Sequence, residues 1–419
     1  LLDGIKVYNV DHFFGFFSAF NANAIKSVDL YKGAFPSKYG GRLSSVIDLT
    51  GKVGSFNEIK GNLSVNLLSA SGSIEIPFLK KFSFFASGRR SFTDLLQTSF
   101  FEKIFSQFDP DDDIENLEPF IPTFNFYDFN SKLSFKPSKD DLITFSFYKG
   151  EDNLDESSDT KRYQYPNFGN IDKIEIIGDL DRISRWGNEG YSFKWSRQWN
   201  PKFYNSLNVS YSKYYNFQDD SYFVDVRIPE LDSTIFDLSV ILDQDNSVQD
   251  FTARYDAEIV SGKNNKFEFG AEYTKSEVDY LFVRDDTLNI IDTDQESKLY
   301  SAYISYDLKS VENLNLKIGL RGSRYGFNDK NYFSPRFQFD YSLTDKLKVK
   351  AGYGVHYQFV KKIVGEGVTS RSRDFWLLSE DNNVKVGKST HYVAGLSYER
   401  DAWLINSEIF YKNVENLTE

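Results

Sequence analysis

The chain has 419 residues and a formal net charge of −12, with no cysteine, 40 Phe and 27 Tyr. Disulfides and thiolate metal sites are therefore excluded, and an acidic chain is a poor match for a nucleic-acid surface, which calls for a basic patch. No apolar run reaches the roughly eighteen residues of a helical membrane span, whereas a membrane β-strand needs only every second residue apolar, and an aromatic content of 17% suits interfacial girdles.

In chain order, the first fifty residues are short β-like runs broken by glycine, as in Leu1-Leu2-Asp3-Gly4, Tyr31-Lys32-Gly33 and Tyr39-Gly40-Gly41-Arg42. Glycine permits positive φ and close backbone approach, which suits a small domain held in a confined space. With no initiator Met and no signal peptide, the sequence reads as an internal piece of a longer precursor.

From about Asn57 onward the pattern predicts roughly fifteen strands of about nine to eleven residues. Leu347, Val349, Ala351, Tyr353, Val355, Tyr357 and Phe359 fall on one face of such a strand, and Lys348, Lys350, His356 and Gln358 on the other. Likewise Phe333, Phe337, Phe339, Tyr341 and Leu343 oppose Arg336, Gln338 and Asp340, and Phe251, Ala253, Tyr255, Ala257 and Ile259 oppose Asp250, Arg254, Asp256 and Glu258. One face is fit for lipid and the other for a wet lumen of mixed charge.

Tight turns are expected at Pro137–Asp140, Asn200–Lys202, Ser261–Asn264, Ser310–Asn313, Thr344–Lys346 and Arg400–Asp401. Long connections are expected between them, near 93–123, 153–187, 218–246, 284–296 and 360–390, with a shorter one near 328–332. Strict alternation of short and long connections marks an outer-membrane barrel rather than a soluble sandwich. If the first strand runs outward, parity requires Ile59–Pro77 to be two strands with an outer hairpin near Leu68–Ser71, followed by a third at about Phe82–Phe92. The last strand, about Ala402–Asn413, finds no closing partner.

The stretch LLDGIKVYNVDHFFGFFSAFNANAIKSVDLYKGAFPSKYGGRLSSVIDL resembles the second half of the plug domain of TonB-dependent outer-membrane transporters. It is most similar to the branch with a carboxypeptidase-regulatory-like domain ahead of the plug, and Gly88-Arg89-Arg90-Ser91-Phe92 resembles that branch's early barrel strand. The resemblance implies an all-β fold: a transmembrane antiparallel barrel of about 22 strands when complete, of which about fifteen are present here. It divides the chain into plug at 1–56 and barrel at 57–419. It also implies the TonB–ExbB–ExbD energy-coupling complex as partner and the outer membrane of a Gram-negative cell as location. The coupling box expected upstream of Leu1 is not in this sequence.

By the same resemblance, Asn9–Phe17 corresponds to a plug loop near the substrate vestibule. His12, Phe13 and Phe14 are candidate ligand contacts, a polar tip on an aromatic wall; alternatively the aromatics pack plug against barrel and His12 caps a turn. Arg42, Arg89 and Arg90 are candidates for pairing with carboxylates across the plug–barrel boundary, or Arg89 and Arg90 simply alternate between lumen and rim. Asp109–Asp113 with Glu115 and Glu118 clusters carboxylates as a calcium site would, but lacks EF-hand spacing and its glycine; the reading preferred is a solvated outer loop, for which divalent ions offer a bridge to lipopolysaccharide. With three histidines, no Gly-x-Ser-x-Gly elbow and no phosphate loop before a helix, the chain is not expected to be an enzyme, and no cofactor or resident metal is implied.

The leading expectation is a receptor that imports a scarce nutrient, such as a ferric chelate, cofactor, oligosaccharide or peptide. The alternative is a scaffold whose barrel docks surface lipoproteins or other outer-membrane machinery. An upstream coupling box separates the two, and a soluble adhesin is disfavoured by the alternation of connections.

Overall fold

A computed structural model describes residues 1–13, 15–95, 122–168, 171–229, 233–262, 265–309, 311–363 and 374–417. Among them no helix is long and apolar enough to cross a membrane.

Two small sheets come first. β1 (Asp11–His12) pairs with β2 (Phe17–Ser18), and β3 (Ile25–Tyr31) pairs with β4 (Val46–Gly51), both antiparallel. A 3₁₀ turn, Ala22–Ala24, leads into β3; the Asn21 side chain caps it by accepting from the Asn23 N–H.

The rest is one large antiparallel sheet, built from β5 (Lys60–Val65), β6 (Ser69–Phe78), β7 (Phe82–Ser91), β8 (Thr123–Phe135), β9 (Asp141–Asp155), β10 (Ser158–Phe168), β11 (Ile171–Asn200), β12 (Phe203–Ile228), β13 (Ser233–Ser261), β14 (Asn265–Arg284), β15 (Leu288–Leu308), β16 (Leu314–Tyr325), β17 (Lys330–Ser342) and β18 (Leu347–Gln358), and then β21 (Gly387–Arg400) and β22 (Trp403–Glu415). Fifteen of its 16 strands follow one path from β5 to β22, while β10 pairs only with β11. Between β18 and β21 the chain forms a separate hairpin of β19 (Val360–Ile363) and β20 (Phe375–Leu378).

Period-two patterning explains the wall. In β8, Asp128, Asn130, Lys132 and Ser134 are buried on the inner face, while Phe129 and Leu133 stand exposed on the outer one. In β17, Arg336 is buried inside, while Phe333, Phe337 and Tyr341 are exposed. The three opening strands fall where parity places them. The first hairpin turns at 66–68, slightly earlier than expected, because the Asn66 side chain accepts the Leu68 and Ser69 N–H groups at 2.9 and 2.8 Å.

Two expectations are corrected. The connections at 153–187, 218–246 and 284–296 are largely β-ladder: β11, β12 and β13 run for 30, 26 and 29 residues, far beyond the expected strand length, and β15 already begins at Leu288. Where β12 runs on through Gln218-Asp219-Asp220-Ser221, neither face carries an apolar residue, so the apolar period breaks although backbone pairing continues. Phe359 leaves the lipid face as well, since β18 ends at Gln358 and the Phe359 ring packs against Tyr325 at 4.8 Å. The acidic stretch Asp109–Glu118 lies outside the described residues. At the ends of the sheet, β5 and β22 each pair on one side only.

Candidate functional site

The inner face of the wall grips the first fifty-odd residues along a polar seam. Nδ1 of His12 lies 2.7 Å from Oδ2 of Asp152 on β9, the Phe13 N–H donates to Oδ1 of the same carboxylate at 3.2 Å, and the His12 ring stacks on Phe126 at 4.5 Å. Phe13 joins Leu68, Phe124, Phe126 and Leu154 in an apolar cluster. The structure thus places His12 and Phe13 in the plug–wall contact, with His12 only 1% exposed, and Phe14 lies outside the described residues.

The three arginines part company. Arg89 donates to Asp128 on the neighbouring wall strand at 2.6 Å and to the Ser18 carbonyl of the plug at 2.6 Å, so its carboxylate partner lies on its own side and a backbone carbonyl is what it meets across the boundary. Arg90 pairs with Asp94 on its own side. Arg42 donates to the Gly41 carbonyl and stands 5.4 Å over the Tyr8 ring, within the plug. Among the described residues it has no ion-pair partner.

Other contacts carry more of the seam. Lys132 donates to Asp3 at 2.7 Å and to the Gly51 carbonyl at 2.9 Å. Asp250 on β13 accepts from Lys6 at 3.2 Å and from the Tyr8 hydroxyl, and Asn188 both accepts from the Tyr8 N–H and donates to the Asn9 carbonyl. Burial, aided by the Asp250 carboxylate, pushes the Tyr8 phenol well above its usual range, so it stays a donor. Arg336 donates to the Phe35 and Pro36 carbonyls, and Gln338 to the Ala34 carbonyl at 2.7 Å. His391 accepts from the Ala34 N–H and, through Nε2, donates to the Leu43 carbonyl at 2.7 Å. All three histidines of the chain are buried at this boundary: Phe35 lies 4.0 Å from His356, which lies 4.5 Å from His391.

The sequence had put Asp250, Arg336 and Gln338 on the wet face of their strands, but gave no sign of their partners. Asp3 and Lys6, on either side of Gly4, carry no local motif at all.

The β19–β20 hairpin folds inward over the plug. Trp376 meets the Tyr8 ring edge-on at 4.8 Å, and its backbone N–H donates to Asn246 at 2.8 Å. The Leu378 N–H donates to Gln295, and the Tyr325 hydroxyl to the Ser379 carbonyl. Beneath the hairpin is a cavity of about 330 Å³, bordered by Lys6, Tyr8, Arg42, Arg254, Glu272 and Tyr325. Nearer the short turns is a second of about 340 Å³, bordered by Lys38, Lys266 and Lys317 against Glu258, Glu268 and Asp340. Among the described residues no cluster of three or more His, Asp or Glu could hold a metal ion.

A curved antiparallel wall, apolar outside and polar inside, around a small domain held by hydrogen bonds defines a plugged β-barrel. The family model described as TonB dependent receptor-like, beta-barrel matches residues 123–419. The chain belongs to this family of outer-membrane receptor barrels. Among solved structures it is similar to a variant of the ferric enterobactin receptor of Pseudomonas aeruginosa, at 15% identity and a TM-score of 0.65 over 96% of this chain and 60% of that one. It is similar to the siderophore receptor PirA of Acinetobacter baumannii, at 15% and 0.61 over 94% and 58%. A third likeness is to P. aeruginosa FpvA bound to a heterologous pyoverdine, at 12% and 0.58 over 94% and 53%. At such identities the likeness is one of fold, and the chain spans 60% or less of each of these three structures. No curated protein matches the sequence.

Proposed function

We propose that this chain is the plug-and-barrel part of an outer-membrane receptor that imports a scarce anionic solute, with the plug displaced by the TonB–ExbB–ExbD complex. A lumen ringed by so many strands would leak if left open. The outer membrane holds no ATP, so the work of moving a plug has to arrive by contact from the inner membrane.

The observation that carries the reading is the chemistry of the seam. It is made largely of hydrogen bonds and ion pairs to plug backbone and side chains, among them Lys132–Asp3, Arg336–Phe35 and His391–Leu43. Each such bond contributes only about 1 kcal/mol net, because water replaces the lost partner. A polar seam therefore holds the plug at rest and lets a pulling force release it bond by bond. In the outer cavity Lys6 is paired with Asp250 and Arg254 with Asp256 and Glu272, and the Arg42 guanidinium supplies the charge that favours an anion. A ferric chelate fits that chemistry, and the fold neighbours described as siderophore receptors support it. The chain's role is binding and passage rather than catalysis.

Gentle detergent extraction of the native full-length protein, with mass spectrometry of what co-purifies and capture on the periplasmic domain of TonB, tests the reading. A bound anionic small molecule together with TonB capture is the expected result. Stoichiometric protein partners with neither ligand nor capture would overturn it in favour of a scaffold.

A further inference from the structure

We propose that solute crosses between plug and wall along β13–β17, and that Arg321 is the bolt closing that passage. The inference rests on the import reading above, but its test needs neither a ligand nor TonB.

The two cavities lie on one sector of the wall. On β14 the outer cavity touches Glu272 and the inner one Glu268, so Gly270 is the only inward position between them. On β16 the outer cavity touches Tyr325 and the inner one Lys317; Gly319, Arg321 and Ser323 lie between on that face. Lys38 belongs to the inner cavity, and the adjacent Tyr39 to the outer. One layer of side chains therefore separates the two.

That layer is thin and polar. Arg321, 2% exposed, donates to Glu272 at 2.6 Å and to the Lys38 carbonyl at 3.4 Å. Tyr303 fills the neighbouring position, donating to Asp256 at 2.6 Å. The plug passes so close that a Cβ on Gly40 would stand 2.5 Å from Nε of Arg321, and one on Gly319 would overlap the Ser37 hydroxyl. At two other places on the seam apolar packing also fills the gap, where Ile5 and Tyr148 belong to one buried cluster and Phe13 and Phe124 to another. In the β13–β17 sector the layer between the two cavities is polar: Arg254 lies between Asp256 and Glu272 and 5.7 Å over the plug's Tyr39 ring, Tyr303 bonds Asp256, and Arg321 ties the Glu272 carboxylate to the Lys38 carbonyl of the plug. Remove Arg321 and the two charged cavities merge into a wet path across the plug. Such a path suits a polar solute and excludes an apolar one, which would have to strip water from the Lys38, Lys266 and Lys317 ammonium groups and their carboxylates.

The chain has no cysteine, which makes single-cysteine labelling direct. Full-length protein with Asn315→Cys, on the inner cavity, is inserted in one orientation into a planar bilayer, and a charged membrane-impermeant thiol reagent is added on the loop side. With Arg321 intact, the thiol is expected to stay unmodified. With Arg321→Ala, modification is expected to be at least roughly tenfold faster, the factor for a loss of about 1.4 kcal/mol. Glu272→Gln, which removes the charge holding Arg321, gives an independent opening should Arg321→Ala fail to assemble; heat-resistant gel mobility reports assembly. Ser134→Cys, on the far wall beside the Val53 carbonyl, is expected to stay protected in every background. Protection of Asn315→Cys in assembled protein of both open backgrounds overturns the proposal, as does equal labelling of Ser134→Cys. If labelling follows Arg321 while TonB capture fails, the import reading falls and the passage stands. The reverse pattern keeps import and removes the passage from this sector.

Discussion

Nδ1 of His12 in the plug meets Oδ2 of Asp152 in the wall at 2.7 Å, with both side chains buried and the Phe13 N–H on the other oxygen of the same carboxylate. Two plug donors share one wall acceptor. Asp152→Ala removes the carboxylate that both contacts share, a change that costs about 3 kcal/mol when a buried pair is broken from one side. The urea midpoint for plug release in the full-length protein is expected to fall accordingly, read from Trp186, which packs against the Phe13 cluster. An unchanged midpoint would mean that this contact does not hold the plug.

Lys38 gives the plug a pH dependence of defined sign. Burial is the main cause that lowers its pKa below 10.5, with the Arg254 charge next. Between its folded pKa and 10.5 the unfolded chain binds more protons than the folded one, so seating strengthens as pH rises through that window. Lys38→Met is expected to remove this slope, measured as the difference between the two proteins' urea midpoints across alkaline pH.

Gly319 permits the close approach of Ser37, which is itself buried. Gly319→Ala forces the plug away from β16 and is expected to weaken seating by about 1–3 kcal/mol, the usual cost of overpacking. Ser37→Gly in the same chain is expected to restore most of the loss, which a general barrel defect would not allow.

The β19–β20 hairpin is held by Trp376 against Tyr8 and Tyr214, together with the Asn246 hydrogen bonds. Trp376→Ala is expected to lower the hairpin's protection by about 3 kcal/mol, the scale of a large-to-small change at a buried aromatic. Hydrogen exchange at the Leu378 amide, bonded to Gln295, reports this directly.

The barrel was legible in the sequence because lipid imposes a period of two and a membrane face imposes alternating connections. Phe337 against Arg336, and Pro137–Asp140 after an even-numbered strand, both follow from that. The extended ladders of β11, β12 and β13 were not legible, because polar runs such as Gln218-Asp219-Asp220-Ser221 break the period. Nor were the seam's pairings. Asp250 could be assigned to the lumen, but Lys6 lies 244 residues away, and nothing local joins them. His12 illustrates the same limit: a histidine among phenylalanines reads alike as a ligand tip and as a packing contact until Asp152, 140 residues on, is set beside it.

The central claim is that a releasable plug closes a wide barrel. Conductance of the full-length protein in a planar bilayer, with urea added and then removed on the short-turn side, tests it most directly. The account predicts a closed channel that opens to a large conductance in urea and closes again on its removal. A conductance that is large from the outset, or that never appears while the plug unfolds, would contradict it.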